Sequence, residues 1–205
     1  MKADNKVVVI GAGISGAAAA RVLAERGKKV LLVEKNDHVG GSVYDYVDDG
    51  IIVQAHGPHI FHTDDFDVFK FLSKFTQWQE YDHRVSGYID GKFVPLPFNL
   101  TSLSMLRKDS ESIERKLVSV YGLGKSVSVG ALMRSSDATI SEFGRFVYEK
   151  VFSYYTLKQW GSRTVPDSVL DRVPVKICYQ HGYFDDRYIY QPLDGFTAMI
   201  VKMFS

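Results

Sequence analysis

Residues 6–34 read KVVVIGAGISGAAAARVLAERGKKVLLVE, and this stretch decides the fold. Lys6–Ile10 is a continuous apolar run rich in β-branched residues. That pattern predicts a buried strand of a parallel sheet. Gly11-Ala12-Gly13-Ile14-Ser15-Gly16 follows at once, then an alanine-rich helix that Gly27 stops. Lys29–Val33 is a second strand and ends at Glu34. The first glycine makes the tight turn, the second lets backbone approach a pyrophosphate, and the third lets helix pack on strand. Free N–H groups at the helix start, around Ser15 and Gly16, then face phosphates. Glu34 stands where an acid meets a ribose hydroxyl in such βαβ units, and its charge repels a 2′-phosphate.

The next segment is Lys35-Asn36-Asp37-His38-Val39-Gly40-Gly41-Ser42. An acid followed shortly by a Gly-Gly pair resembles the flavoprotein extension of the dinucleotide motif. FAD is therefore favoured over NAD, with an ordinary surface turn as the plain alternative. The candidate cofactor contacts are Gly11, Gly13, Ser15, Gly16, Glu34, Lys35, Gly40, Gly41 and Ser42.

Working outward, 205 residues suffice for one large domain or two small ones. A hydrophobic content of 45% can fill a real core. The formal charge of +1 creates no global field that would draw the chain to nucleic acid or to an acidic membrane. Any bound anion must be held locally. The single cysteine, Cys178, excludes an intrachain disulfide and fits a reducing compartment. The N-terminus reads as neither signal peptide nor membrane span, so the expectation is a cytoplasmic protein without membrane insertion.

Downstream, three histidines stand three apart: His56, His59 and His62. On a helix they would align as metal ligands. Gly57-Pro58 sits between the first two, and proline moves its predecessor away from helix. The stretch 51–63 therefore reads as strand, turn and short extended piece. Alternation then parts His59 from His62, and no metal site is expected. Residues 63–79 carry Phe66, Phe69, Leu72 and Phe75 at helical spacing, with Thr63 or Asp64 as cap. Residues 81–94 read as a hairpin turning at Asp90-Gly91, after which Pro95 and Pro97 end the ladder. From 103 to about 158 the pattern is mostly helical, with 122–130 as a loop.

Five blocks then carry a resemblance. They are GPHIFHT (57–63), PLPFNL (95–100), YTLKQWG (155–161), RVPVK (172–176) and GYFDDRY (182–188). In this order they closely resemble the UDP-galactopyranose mutase family. The resemblance implies an α/β fold: a Rossmann-like FAD-binding domain with an inserted helical module and part of an antiparallel sheet layer. The expected division is a FAD-binding region over 1–80 that resumes near 190–205. A hairpin follows at 81–100, a helical substrate-binding module at 101–172, and a return to the sheet and FAD domain over 173–205.

The family also implies the chemistry: interconversion of UDP-galactopyranose and UDP-galactofuranose. Reduced FAD acts through its N5 as covalent nucleophile, with no net redox change. Gly57, His59 and His62 would lie against the flavin, the two imidazoles at its edge. Tyr155 would offer a flat face to uracil, Thr156 a hydroxyl and Trp160 a wall. Arg172 would clamp the diphosphate with a planar fork, and Tyr183 and Phe184 would line the substrate cleft. His59, His62 and Arg172 are thus the expected supporting groups in catalysis. Full-length members allow a homodimer.

Three departures from the family pattern stand out. Ser42 replaces the usual Asn, His56 replaces a common Tyr, and the chain is short. The expectation from length is a fragment that does not turn over substrate. Two other classes remain open: an FAD-dependent amine-oxidase-like oxidoreductase, and a non-catalytic nucleotide-binding module.

Overall fold

The computed structural model describes residues 6–162 and 165–205, with Gln159 and Trp160 as backbone only. The elements run β1 (Lys6–Ile10), α1 (Ile14–Glu25), β2 (Lys29–Val33), β3 (Asp45–Asp48), β4 (Ile51–Gln54), β5 (Phe61–Thr63) and α2 (Phe66–Leu72). Then come β6 (Trp78–Glu80), β7 (Val85–Ile89), β8 (Lys92–Leu96), α3 (Leu100–Leu106), α4 (Ser110–Tyr121), β9 (Lys125–Ser128) and α5 (Val129–Met133). The rest is α6 (Ala138–Val147), a π-helical turn (Tyr148–Phe152), α7 (Ser153–Trp160), α8 (Asp167–Leu170), β10 (Pro174–Ile177), β11 (Tyr188–Pro192) and α9 (Phe196–Lys202).

These elements form two compact units. One runs to Asp82 and resumes over Phe184–Ser205; the other is His83–Tyr183. The boundaries differ from the four segments expected from sequence. The hairpin, the helices and residues 173–183 share one unit because β10 pairs antiparallel with β9 and Lys176 N–H donates to the Phe98 carbonyl.

In the first unit β1 and β2 pair in parallel, Lys6 against Lys29 through Ile10 against Val33. Among the described residues they form a two-stranded sheet. This corrects the expectation of a buried strand. Val8 is 58% and Ile10 85% exposed, because α1 covers only one face. On that face Gly16 lies close to the Val9 side chain. A three-stranded antiparallel sheet, β5-β11-β6, brings the late strand back beside the early ones. The return is secured by Asp45. Its buried carboxylate accepts from Phe196 N–H (2.6 Å) and Thr197 N–H (2.9 Å) at the start of α9. A residue 151 positions upstream thus caps a helix. The core here joins Ala17, Leu72, Phe75, Phe196, Met199, Ile200 and Met203.

Two local expectations for residues 63–79 are corrected. The helix ends at Leu72, and Trp78–Glu80 is a strand paired with β11. Its cap is Asp65, which accepts from Asp67 and Val68 N–H, rather than Thr63 or Asp64. Phe66 is exposed, while Leu72 and Phe75 are buried. Helix periodicity read across the break could not see that partner strand.

In the second unit the hairpin β7-β8 turns at Asp90-Gly91, both at positive φ. Pro95 does not end the ladder: it pairs with Ser86 inside β8. The stretch 122–130 is not wholly loop, since β9 and the start of α5 lie within it. Its short polar strand carries little signal until β10 is beside it. The core of this unit packs Phe98, Leu103, Leu117, Leu132, Phe143 and Ile177 among others.

Candidate functional site

The glycine turn in the first unit behaves as its chemistry requires. Gly11 has φ +95°, and a Cβ added there would meet nothing within 4 Å. At Gly13 the nearest atoms to an added Cβ are 3.8 and 3.9 Å away, both backbone of Gly40-Gly41. At Gly16 an added Cβ would sit 1.9 Å from the Gly11 carbonyl oxygen. The first two positions leave open backbone, and the third is filled by backbone. Helix α1 starts from Gly13 with no side-chain cap and no acid in its first turn. Its N–H groups, with exposed Ser15 beside them, suit an anionic ligand such as a pyrophosphate. The residues present therefore fit a dinucleotide.

Glu34 has a second task that the sequence did not reveal. Its carboxylate accepts from Ala12 N–H at 2.6 Å, inside the glycine turn, and from Lys35 and Asn36 N–H at 2.9 and 3.0 Å. These bonds, the Ala12 one foremost, hold its pKa below the ordinary carboxylate value. Glu34 remains an anion and braces the turn. Gly40 and Gly41 explain themselves locally as well. Gly40 donates to the Ala12 carbonyl and forms a parallel bridge with Gly13. A Cβ on Gly41 would lie 3.1 Å from the Gly13 Cα. The Gly-Gly pair thus packs backbone against the first glycine turn. Lys35 and Ser42 are exposed beside it.

The three histidines go separate ways. His56 lies exposed in a turn. Gly57 follows at φ +89°. His59 Nδ1 contacts the Gly57 carbonyl at 2.9 Å, and its own carbonyl accepts from Gln191 and Gln54 side chains. His62 sits on β5, where Nδ1 meets Asp186 Oδ2 at 2.9 Å and the ring stacks on Phe184 at 3.9 Å. That leaves His62 Nε2 for a further partner. Asp186, Gln54 and Gln191 were missed from sequence. Asp186 lies within the GYFDDRY block, but 124 residues separate it from the imidazole it orients.

The second unit contains a pocket of 420 Å³ lined by Val85, Leu96, Val151, Phe152, Tyr155, Arg172, Pro174 and Tyr183 among others. Three of the expected substrate residues, Tyr155, Arg172 and Tyr183, meet there from three parts of the chain. Tyr155 is 61% exposed, so its ring has a face to offer. Val151, Phe152 and Tyr155 share a helical face by their spacing. The π-helical turn Tyr148–Phe152 precedes α7, and its extra residue rotates everything after it by about 100° relative to a continuous α-helix.

Other expected residues fall elsewhere. Thr156 is 7% exposed, and its hydroxyl donates to the Phe152 carbonyl at 2.6 Å. Back-bonding to position i−4 uses its single donor hydrogen, leaving a largely buried oxygen that can only accept. Phe184 belongs to the other unit, stacked on His62. Trp160 closes α7, but its side chain lies outside the described residues. Sequence reasoning missed Phe152 and Val85, whose apolar character alone reads as core.

Comparison with known proteins follows the same division. A family model described as an NAD(P)-binding Rossmann-like domain matches residues 9–75, and one described as UDP-galactopyranose mutase matches 150–205. The second covers Tyr155, Arg172 and Tyr183 together. The chain is a relative of the UDP-galactopyranose mutases. It is 36% identical over 205 residues to a dTDP-fucopyranose mutase of Escherichia coli, covering 97% of this chain and 54% of that protein. It is 33% identical to a probable UDP-galactopyranose mutase of Klebsiella pneumoniae, covering 96% and 52%. A crystal structure of reduced UDP-galactopyranose mutase aligns with TM-score 0.65 at 21% identity, over 97% of this chain and 45% of that one. That last likeness supports the α/β, Rossmann-like fold of this mutase relative. The chain spans about half the length of the curated relatives it matches. Among the described residues no helix is long and apolar enough to cross a membrane.

Proposed function

We propose that this chain carries the flavin-holding and nucleotide-sugar-binding parts of a UDP-galactopyranose mutase, which interconverts UDP-galactopyranose and UDP-galactofuranose without net redox change. The observation that carries the reading is the pocket joining Tyr155, Arg172 and Tyr183. Tyr155 supplies an aromatic face for a pyrimidine. Arg172 supplies a permanently charged fork for a diphosphate. The apolar wall of Val85, Leu96, Val151 and Pro174 excludes water around them.

In the first unit Gly11, Gly13, Ser15 and Gly16 receive the FAD pyrophosphate, and Glu34 faces its ribose. Lys35, Gly40, Gly41, Ser42 and Gly57 complete the cradle. When bound and reduced, the flavin supplies the nucleophile for the anomeric carbon. His59 and His62 would lie against its ring, and Asp186 holds His62 with Nδ1 toward the carboxylate. Arg172 stabilises the leaving diphosphate.

A second reading concerns the nucleotide. The Escherichia coli relative is named for a dTDP-sugar, and a stacking tyrosine accepts thymine as readily as uracil. The test is binding of UDP and dTDP to the purified chain by calorimetry, with flavin retention read by absorbance. A sugar assay on dithionite-reduced protein, with UDP-galactofuranose and dTDP-fucofuranose, completes it. Specific UDP binding that Tyr155→Ala weakens is expected. Absence of binding to either diphosphate would reject the pocket assignment. Substrate-driven flavin reduction would favour the amine-oxidase-like class instead.

A further inference from the structure

The RVPVK block holds more than Arg172. Four residues on, Lys176 lies in β10 and is only 4% exposed. Its neighbours Val175 and Ile177 are buried hydrophobics. An ammonium withdrawn from water in this way is costly unless it is hydrogen-bonded. The charge must therefore be held for what it binds.

Its partners are specific. Lys176 Nζ donates to the Gly182 carbonyl at 2.9 Å and to the Tyr183 carbonyl at 3.1 Å. Both carbonyls belong to the loop that follows β10 and delivers Tyr183 to the pocket. The same loop is tied at other points. Asn99 Nδ2 donates to the Gln180 carbonyl at 3.0 Å, and Tyr183 N–H donates to the His83 carbonyl at 2.8 Å. The His83 ring meets the Tyr183 ring edge-on at 5.2 Å. Of these ties, only the Lys176 ammonium is charge-assisted, and it reaches the two residues nearest the pocket end of the loop.

We propose that Lys176 is a positioning residue: its buried ammonium holds the 182–183 backbone and thereby sets the Tyr183 ring in the wall of the pocket it lines with Arg172 and Tyr155. The ligand half of this statement rests on the pocket being a nucleoside-diphosphate site. The loop half does not.

Lys176→Met keeps the length and apolar stem and removes the donors. Two measurements are made on the 205-residue chain: UDP affinity by calorimetry, and amide hydrogen exchange across 178–183 and across the β9–β10 ladder. The expected result is roughly tenfold or greater loss of UDP affinity, the scale of lost charge-assisted hydrogen bonds. The Tyr183 amide should exchange faster while the ladder amides stay protected. In a Tyr183→Ala background the same substitution should change affinity less than twofold, because residues acting as one unit are non-additive. A purely structural lysine would give additive effects and exposed ladder amides, and either result overturns the proposal. If the parent chain binds no UDP, the pocket reading fails. Exchange at Tyr183 then decides alone: unchanged exchange in Lys176→Met rejects the clamp. Should the Met variant not fold, Lys176→Gln, too short to reach both carbonyls, takes its place under the same criteria.

Discussion

The glycines at 13 and 16 give the sharpest test, because the structure assigns them opposite tasks. In Gly16→Ala the new Cβ would lie 1.9 Å from the Gly11 carbonyl oxygen and 3.0 Å from its carbonyl carbon. The obstacle is backbone, so no rotamer change relieves it. Overpacking of this kind costs about 3 kcal/mol, the upper end of the usual range. Replacing a helical glycine by alanine returns about 1 kcal/mol in propensity. The net loss is about 2 kcal/mol, which lowers Tm by roughly 4–8 °C for a chain of this size. In Gly13→Ala the nearest atoms are at ordinary contact distance, 3.8 and 3.9 Å. Its φ of −73° suits any L-residue, so stability should hold within about 0.5 kcal/mol. What changes is the surface a pyrophosphate must approach, and FAD affinity should fall at least about tenfold. Thermal unfolding by circular dichroism and FAD titration by flavin fluorescence read the two effects separately. The reasoning is refuted if Gly16→Ala melts with the parent, if Gly13→Ala melts as low as Gly16→Ala, or if Gly13→Ala keeps parental FAD affinity.

Asp45→Ala should destabilise the first unit by about 3 kcal/mol, since it strands two N–H groups at the start of α9 that now meet a buried carboxylate; urea unfolding measures this. Glu34 has a lowered folded pKa, so its stabilisation is present above the ordinary glutamate pKa of about 4.3 and is lost as pH falls through the folded value. Glu34→Gln should therefore melt below the parent at neutral pH and converge with it in acid, seen in a Tm-against-pH series. Thr156→Val should leave UDP affinity within about twofold, because its one hydrogen is donated to the Phe152 carbonyl and its oxygen is largely buried. Arg172→Lys should weaken UDP binding by roughly tenfold despite equal charge, through loss of the planar fork. Calorimetry checks both.

Much of the first unit was legible because its signals are local. KVVVI, the glycine turn, the alanine-rich helix and KVLLV follow one another without interruption, and each carries its own period. The same holds for the Asp90-Gly91 hairpin, where positive φ selects the residues. What failed was the reading of elements whose partners are remote. Periodicity alone extends a helix over β6, because its partner β11 lies more than 100 residues away. β9 carries no strand signal of its own, because what makes it a strand is its pairing with β10. In the candidate site, Tyr155, Arg172 and Tyr183 were reachable only through resemblance, since nothing in their spacing brings them together. The inward turn of Thr156 was hidden for the opposite reason: a local hydrogen bond to position i−4 takes its donor hydrogen, and composition cannot show whether a threonine turns inward.

By itself the amino-acid sequence determined the βαβ turn, its lack of side chains where a pyrophosphate would approach, and the separation of the three histidines by Gly57-Pro58. These follow from backbone sterics within a few residues. Only the tertiary structure decided that Asp186 orients His62, that Asp45 caps a helix at the far end of the chain, and that an exposed tyrosine on α7 shares a pocket with Arg172. Those arrangements depend on long-range strand pairing and on buried polar groups seeking partners wherever the fold brings them. No local period encodes such partners, so no local reading finds them.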